Sequence, residues 1–351
     1  MSARVEKDVC RHLDAAERSC RCLVPGDDEL RRALRYRRQW VVEPIAGLFV
    51  RRETWRALNP AERTMWLMRA LGETHPTWRF CGASAAVAYG LPVTWGLLTH
   101  VFVLGPSGSR KKGVSGVWRR SISDGDVTSV DGLRLTPLWR TVFDCLATMP
   151  PADALAVADR AARLSGSSAR QVCEYVRTAH RGRRGVRRAL GTAALVDGRA
   201  ESGGESIARH TMHELGFVEP ELQVWIKDPV EPKKWFRVDF LWVLPDGSIV
   251  IGELDGRQKS ERPELMGGRS AIRVMQDERL RESHLTALHP AIVRFDYDTA
   301  RDPERLGALL ERYGVPKRTR EPSLPRATRT VRAELVLSDG QWTLVTEEVL
   351  A

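Results

Sequence analysis

RVDFLWVLPDGSIVIGELDGRQK, residues 237–259, is the stretch that decides the fold of this chain. Two apolar runs, 238–244 and 249–254, flank the turn sequence Pro245-Asp246-Gly247-Ser248, which predicts two short buried strands joined by a tight turn. Side chains alternate between the two faces of a strand, so both carboxylates of the ending Glu253-Leu254-Asp255 point to one face. A core strand rarely carries two acids on one face, which makes this edge of the sheet the first candidate for a functional site.

Asp239, on the first of the two strands, adds a third carboxylate to the same edge. Carboxylates that share a site repel one another, and burying them unpaired costs free energy. A divalent metal removes this repulsion, and hard oxygen ligands suit Mg²⁺ or Mn²⁺. The stretch therefore predicts a magnesium or manganese site in which Asp239 and Glu253 are ligands.

The order of these pieces resembles the PD-(D/E)XK nuclease superfamily, and more closely a small domain related to very-short-patch-repair endonucleases. Two outlying segments agree with that family. Ser202-Gly203-Gly204-Glu205 opens a helix where the family has a helical Glu near the metal, and Asp277-x-x-x-Arg281-x-x-x-Leu285 precedes a strand over 291–297. The resemblance covers about residues 201–313 and implies a restriction-endonuclease-like α/β domain with a central mixed sheet.

The resemblance also implies chemistry: hydrolysis of a DNA phosphodiester bond to a 5′-phosphate and a 3′-hydroxyl. The metal ligands it implies are Asp239, Glu253 and Glu205, with Asp255 as a further ligand or water-orienting group and Lys259 stabilising developing charge. The sequence departs from the signature twice, because Val238 replaces its Pro and Asp255 replaces its Lys, for which Lys259 is the nearest substitute.

Two of these acids also have simpler interpretations. Ser202-x-x-Glu205 is a capping box, in which the Glu need only accept a backbone hydrogen bond. Asp255-Gly256 also suits the plain end of a strand. Among the other basic residues of this part, Arg281 is a candidate phosphate contact and Arg294 a weaker one.

Charge is distributed unevenly along the chain. Of its 351 residues, those at 1–200 hold 33 lysines and arginines against 19 acids, whereas 201–351 hold 22 against 26. This predicts a polyanionic partner such as DNA, bound mainly through the N-terminal half. No run of about 18 apolar residues occurs and residues 1–20 are charged throughout, so we expect a cytoplasmic protein without a membrane partner. Six cysteines lack zinc-site spacing and are expected to be reduced.

The N-terminal residues 1–55 predict two helices and a hairpin, an order that resembles a winged helix-turn-helix with a reduced first helix. The second helix is basic and is either a DNA-contacting helix or a solvated arginine-rich face. If it contacts DNA, the contacts are expected from Arg31, Arg32, Arg35 and Arg38.

The middle of the chain resembles the AbiEi-type antitoxin and transcriptional-regulator family over about residues 28–165. The residues that carry the resemblance are, in order, Ser84-Ala85-Ala86, Gly90-Leu91-Pro92, a basic segment read as a hairpin tip with Arg110, Lys111 and Lys112, Gly132-Leu133 to Thr136, and Arg140-Thr141-x-x-Asp144. The resemblance implies DNA binding and a scaffold able to oppose a nucleotidyltransferase toxin.

The sequence thus predicts a chain of class α/β, α+β overall, in four segments: winged-helix-like 1–55, an antitoxin-like α+β domain 56–198, a nuclease-like domain 199–315, and a linker with a terminal hairpin 316–351. The predicted function is DNA binding with metal-dependent endonuclease-like activity. The alternatives are a non-catalytic regulator that uses a degenerate nuclease fold, and a pure antitoxin that acts on a protein. The oligomeric state stays open.

Overall fold

The chain is of the α+β class and contains a mixed sheet, as its sequence predicts. The computed structural model describes residues 3–105, 114–121, 126–231, 233–255, 280, 283–318, 331–338 and 341–348. These form two compact units, Met1–Thr148 and Met149–Ala351. The finer division into four segments stays a prediction.

The first unit begins with the predicted order of two helices and a hairpin. The Asp27 carboxylate caps the second helix by accepting a hydrogen bond from the Leu30 N–H at 2.7 Å. Leu13, Leu34 and Phe49 are fully buried between the helices and the hairpin. The elements are α1 (Ala3–Arg18), α2 (Asp28–Arg35), β1 (Val41–Ile45) and β2 (Leu48–Arg51), with β1 and β2 antiparallel.

The rest of this unit packs around Met68, Phe80 and Leu135, all three fully buried. The helix over Pro60–Thr74 starts at a complete capping box, in which Asn59 and Glu62 bond each other's backbone N–H groups. The elements are α3 (Arg52–Ala57), α4 (Pro60–Thr74), α5 (Gly82–Ala88), a 3₁₀ turn (Trp95–Leu97), β3 (Val101–Gly105), β4 (Val117–Ser121), β5 (Thr128–Val130), β6 (Leu133–Leu135) and α6 (Leu138–Thr148).

The predicted basic hairpin between β3 and β4 is wrong, because these strands pair in parallel, with Val101 opposite Val117. Parallel strands are joined by a crossover and not by a tight turn. Apolar runs on both sides of a glycine-rich segment predict two strands but not their relative direction. The candidate phosphate contacts Arg110, Lys111 and Lys112 lie outside the described residues.

The second unit is built on a four-stranded sheet of β7 (Glu221–Lys227), β8 (Trp235–Val243), β9 (Ile249–Asp255) and β10 (Ala291–Asp296). The order of the strands is β10-β9-β8-β7, in which β7, β8 and β9 are antiparallel and β10 runs parallel to β9. The predicted hairpin at Pro245-Asp246-Gly247-Ser248 is confirmed, and Gly247 takes a φ of +81° in it. The helices are α7 (Pro151–Ser165), α8 (Ala169–Ala179), α9 (Val186–Ala193), α10 (Gly203–Glu214), α11 (Tyr297–Arg301) and α12 (Pro303–Arg312), with a 3₁₀ turn at Thr286–Leu288.

The two faces of this sheet carry separate cores. The helix-side core packs strand residues such as Leu222, Phe240 and Phe295 against α10, α11 and α12. The second core lies on the opposite face and contains Val224, Ile226, Val238, Leu241, Ile249, Ile251 and Leu285.

A buried ion network holds α7 against α10. Asp159 accepts hydrogen bonds from Arg209 at 3.0 Å and from the Asp197 N–H at 2.8 Å. Arg199 pairs with Asp197 at 2.8 Å and reaches Glu221 on β7 at 2.9 Å. Because Arg209 lies on α10, the network fixes the helix that carries Glu205.

The predicted terminal hairpin is confirmed as β11 (Val331–Ser338) antiparallel to β12 (Gln341–Glu348). Within the described ranges these strands form a sheet of their own, and Leu335 of β11 packs on the second core. None of the helices in the described ranges is long and apolar enough to cross a lipid bilayer.

Candidate functional site

Strand β7 has a backbone irregularity at Gln223, whose φ is +54°. A positive φ is uncommon outside glycine. On β7, Leu222 belongs to the helix-side core and Val224 to the second core. On β8, Phe240 likewise belongs to the helix-side core and Val238 to the second core. Residues two apart normally share a face, so the alternation of faces shifts at Gln223 and at Asp239 opposite it.

Gln223 brings Glu205 and Asp239 together. Its side-chain Nε2 donates to Glu205 Oε2 at 2.8 Å and to Asp239 Oδ1 at 3.2 Å. The second oxygen of Asp239 accepts a hydrogen bond from the Leu254 N–H of β9 at 2.9 Å. Two predicted site residues, one on a helix and one on a strand, therefore meet at one amide nitrogen.

Ser202 caps α10 as predicted, but the Glu205 side chain bonds the backbone of Glu201, so the capping box with Ser202 is only half formed. Ser202 Oγ accepts a hydrogen bond from the Glu205 N–H at 3.1 Å, and Glu205 Oε2 accepts one from the Glu201 N–H at 2.9 Å. Next to it, a Cβ on Gly204 would lie 2.5 Å from Leu254 Cδ2. Glycine at this position allows the first turn of α10 to approach β9.

The environment raises the pKa of Glu205 above its ordinary value of 4.5. Burial is the largest cause, and the neighbouring Asp239 carboxylate adds to it, while hydrogen bonds from Glu201, Ser202 and Gln223 oppose it. Both main causes disfavour a second negative charge at this place. A cation would remove the penalty.

The donor set fits a hard divalent cation. Gln223 is 9% exposed, and its Oε1 finds no hydrogen-bond donor among the described residues. A buried acceptor left in this state costs about 1–3 kcal/mol. Two carboxylates that share one donor, next to an amide oxygen that has none, make an oxygen-rich site of the kind that suits Mg²⁺ or Mn²⁺.

Glu253 and Asp255 lie at the same end of the sheet. Along β9, Leu254 packs in the helix-side core and Ile251 in the second core, so by alternation Glu253 and Asp255 point to the face of the second core, away from α10 and Glu205. Glu253 is half-buried and Asp255 exposed. Within the described ranges, however, the ligand oxygens of Glu205, Asp239 and Glu253 do not all fall within 4.8 Å of one another. Glu253 as a ligand thus stays a prediction, and Lys259 lies outside the described residues.

A second group of metal-ligand side chains, Asp228, Glu231 and His284, was not found from the sequence. Their ligand atoms all lie within 4.8 Å of one another, and His284 Nδ1 is 2.8 Å from Asp228 Oδ2. The His lies 56 positions after the Asp, so no spacing signal links them. The protein already compensates both acids, because Asp228 accepts two backbone N–H bonds and Lys234 pairs with Glu231 at 2.9 Å.

The predicted DNA-contacting helix is α2, and most of its arginines bond within the unit. Arg31 pairs with Asp28 at 2.7 Å, and the backbone carbonyl of Asp28 accepts a hydrogen bond from Arg32. Arg35 pairs with Glu43 of β1 at 2.9 Å, while Arg38 is exposed. Neither interpretation of this helix is decided by these contacts. Arg294 is exposed on β10, and Arg281 lies outside the described residues.

No family model matches the chain, and no solved structure gives a significant match. The uncharacterized protein Rv2248 of Mycobacterium tuberculosis (strain ATCC 25618 / H37Rv) is 30% identical over 238 residues, which span 66% of this chain and 80% of that protein. The uncharacterized protein MT2308 of Mycobacterium tuberculosis (strain CDC 1551 / Oshkosh) is similar to the same extent.

Proposed function

The chain belongs to the family of these two uncharacterized mycobacterial proteins, and we propose that it hydrolyses DNA phosphodiester bonds in a metal-dependent reaction. The observation that carries the proposal is the meeting of Glu205 and Asp239 at Gln223, with the buried Gln223 Oε1 left without a donor among the described residues. The resemblance to PD-(D/E)XK nucleases supplies the reaction class.

Glu205, Asp239 and Gln223 Oε1 would hold the ion, and the resemblance adds Glu253 as a further ligand. When bound, Mg²⁺ or Mn²⁺ lowers the pKa of a water molecule and neutralises charge on the scissile phosphate. The Leu254 N–H fixes one oxygen of Asp239 and thereby orients the other toward Glu205. Asp255, exposed at the end of β9, would be a further ligand or would orient the attacking water, as the resemblance implies.

The proposal includes DNA as the partner and the cytoplasm as the location. Binding energy is expected from the basic N-terminal half, since it holds the excess of lysine and arginine. All six cysteines are unpaired, which agrees with a reducing compartment.

A second candidate function is a non-catalytic regulator or antitoxin, which binds DNA or a nucleotidyltransferase toxin through a nuclease fold that no longer cleaves. Two observations favour it. Asp255 stands where the nuclease signature has Lys, and in the described part of the chain the three predicted ligand carboxylates are not all within 4.8 Å of one another.

One experiment separates the two candidates. Wild type, Asp239→Ala and Asp246→Ala are incubated with supercoiled and linear DNA, with Mg²⁺, Mn²⁺ or EDTA, and gel shifts are run in parallel. Asp246 is the matched control, because it lies on the same hairpin but only caps the turn through Ser248. Hydrolysis predicts metal-dependent cleavage by wild type and Asp246→Ala but not by Asp239→Ala. A gel shift without cleavage by wild type would support the regulator instead.

A further inference from the structure

Near the start of α10, strands β7 and β8 present alternating aromatic and cationic side chains. Trp225 lies opposite Arg237, and Lys227 lies opposite Trp235. The Arg237 guanidinium carbon is 5.5 Å from the centre of the Trp225 ring, and Lys227 Nζ is 6.0 Å from the centre of the Trp235 ring. We call these four residues the β7–β8 strip.

The strip lies on the face of the sheet that carries the carboxylate site. Val224, Ile226 and Val238 point into the second core, so the residues between them point to the opposite face. Arg237 pairs with Glu201, whose backbone N–H bonds Glu205, and this places the strip on the α10 side.

Along β7 and β8 the strip leads directly to the site. Two positions along the strands from Trp225 and Arg237 lie Gln223 and Asp239, which form the proposed metal site together with Glu205. A chain molecule lying along the strip would therefore reach the carboxylates without changing direction.

Exposure and charge limit what the strip can bind. Both tryptophans are half-buried, whereas Lys227 and Arg237 are exposed. The connection between the strands adds the exposed Lys233, whereas the charge of the exposed Lys234 is balanced by Glu231. The acids nearest in sequence are already engaged: Asp228 with His284, and Glu231 with Lys234. The ligand is therefore an anion with flat apolar groups.

A strand of nucleic acid has this chemistry. Its phosphates pair with lysine and arginine, and its bases stack on aromatic side chains regardless of sequence, because every base has a π face. An acidic peptide would use the cations, but its carboxylates would gain nothing from stacking on the tryptophans. We propose that the β7–β8 strip binds one DNA strand and guides it to Glu205, Gln223 and Asp239. This rests on the proposed function only in taking DNA as the ligand.

The test measures binding of the full chain to a fluorescent single-stranded oligonucleotide of about 20 nucleotides in EDTA, so that cleavage plays no part. The variants are the double substitutions Trp225→Leu with Trp235→Leu and Trp225→Phe with Trp235→Phe. Trp95→Leu is the matched control, because Trp95 is an exposed tryptophan of the first unit. Circular dichroism verifies that each variant is folded.

Loss of stacking on two tryptophans is expected to raise Kd by at least about tenfold in the Leu double variant. The Phe double variant, which keeps aromatic faces, is expected to stay near wild type, and so is Trp95→Leu. As a second measurement, Lys227→Met should lower the slope of log Kd against log salt by about 0.7, the value for one phosphate contact on a single strand.

Two results would overturn the proposal that the strip binds DNA. One is a wild type that fails to bind the oligonucleotide in EDTA, and the other is a folded Leu double variant that binds as tightly as wild type. The variant Asp239→Asn distinguishes failure of the strip proposal from failure of the proposed function. If Asp239→Asn binds the oligonucleotide like wild type and the Leu double variant does not, the strip binds DNA even where wild type shows no cleavage. If wild type cleaves while the Leu double variant still binds, hydrolysis holds and the strip is wrong.

Discussion

The second unit contains two groups of acids whose chemistry differs. In the carboxylate site, Glu205 and Asp239 share one amide donor, each accepts one further backbone N–H, and the Gln223 oxygen has no donor among the described residues. In the other group, Asp228 is only 1% exposed, yet it accepts two backbone N–H bonds and lies 2.8 Å from His284.

The difference is visible in the pKa values. Burial and the Asp239 charge raise the pKa of Glu205. Burial alone would also raise the pKa of Asp228, but hydrogen bonds from His284 and from two backbone N–H groups hold it below the ordinary value. Closeness of acids therefore does not identify a metal site. A shortage of donors around buried oxygens does, because only then does a cation supply something that the protein lacks.

The largest expected effect is on cleavage. Glu205→Gln keeps the shape of the side chain but removes a charge from the proposed ion site, and we expect the rate of metal-dependent DNA cleavage to fall at least about a hundredfold. Glu231→Gln makes the same change in the compensated group and should leave the rate unchanged. Equal losses in both variants, measured as initial rates of plasmid nicking, would remove the distinction between the two groups.

Metal binding should stabilise the folded chain through the carboxylate site of Glu205 and Asp239 only. An ion at about a hundred times its Kd adds about 2.7 kcal/mol to the free energy of unfolding. We expect Mn²⁺ to raise the Tm of wild type and of Asp228→Asn, but not that of Asp239→Asn, in thermal melts with matched EDTA samples. A Tm rise that survives in Asp239→Asn and is lost in Asp228→Asn would assign the ion to the other group.

Without metal, the order of sensitivity should reverse. His284→Ala removes the side-chain partner of a buried carboxylate and should lower the free energy of unfolding by about 1–3 kcal/mol in urea titrations. Glu205→Gln removes a repelled charge and should leave this free energy unchanged or raise it. A clear destabilisation by Glu205→Gln in EDTA would mean that the charge at Glu205 is already compensated.

The smallest effect concerns pH. Because the folded-state pKa of Glu205 is raised, its contribution to the stability of the metal-free chain is complete below the ordinary value of 4.5 and is lost as pH rises through the raised value. A proton on Glu205 competes with the metal, so Mn²⁺ affinity should increase over the same interval, by at most about tenfold per pH unit. Calorimetric titrations of wild type against Glu205→Gln test this, since the residual binding of the variant should lack this dependence.

Parts of the site were predictable because they are encoded locally. The hairpin around Asp246-Gly247, the start of α10 at Ser202 and the shared face of Glu253 and Asp255 all follow from turn residues, a cap and the two-residue period of a strand. The meeting of Glu205 with Asp239 was expected only from the family resemblance, since a helix and a strand approach each other through packing.

Other features had no local signal. A single glutamine in an apolar strand does not indicate a left-handed backbone, and Gln223 takes this conformation where it contacts both acids. The parallel pairing of β3 with β4 was missed for a related reason, because strand direction depends on the path of the connection.

The amino-acid sequence by itself determined the α+β class, the hairpin around Asp246-Gly247, the uneven charge and the acids at one end of the sheet. These depend on periodicity, capping and composition, which act between near neighbours in the chain. Only the tertiary structure decided which acids are compensated, because the Asp228–His284 contact and the Gln223 contacts join residues far apart in sequence. Long-range packing sets how much water and how many donors reach each carboxylate, and that decides which group has a use for a metal ion.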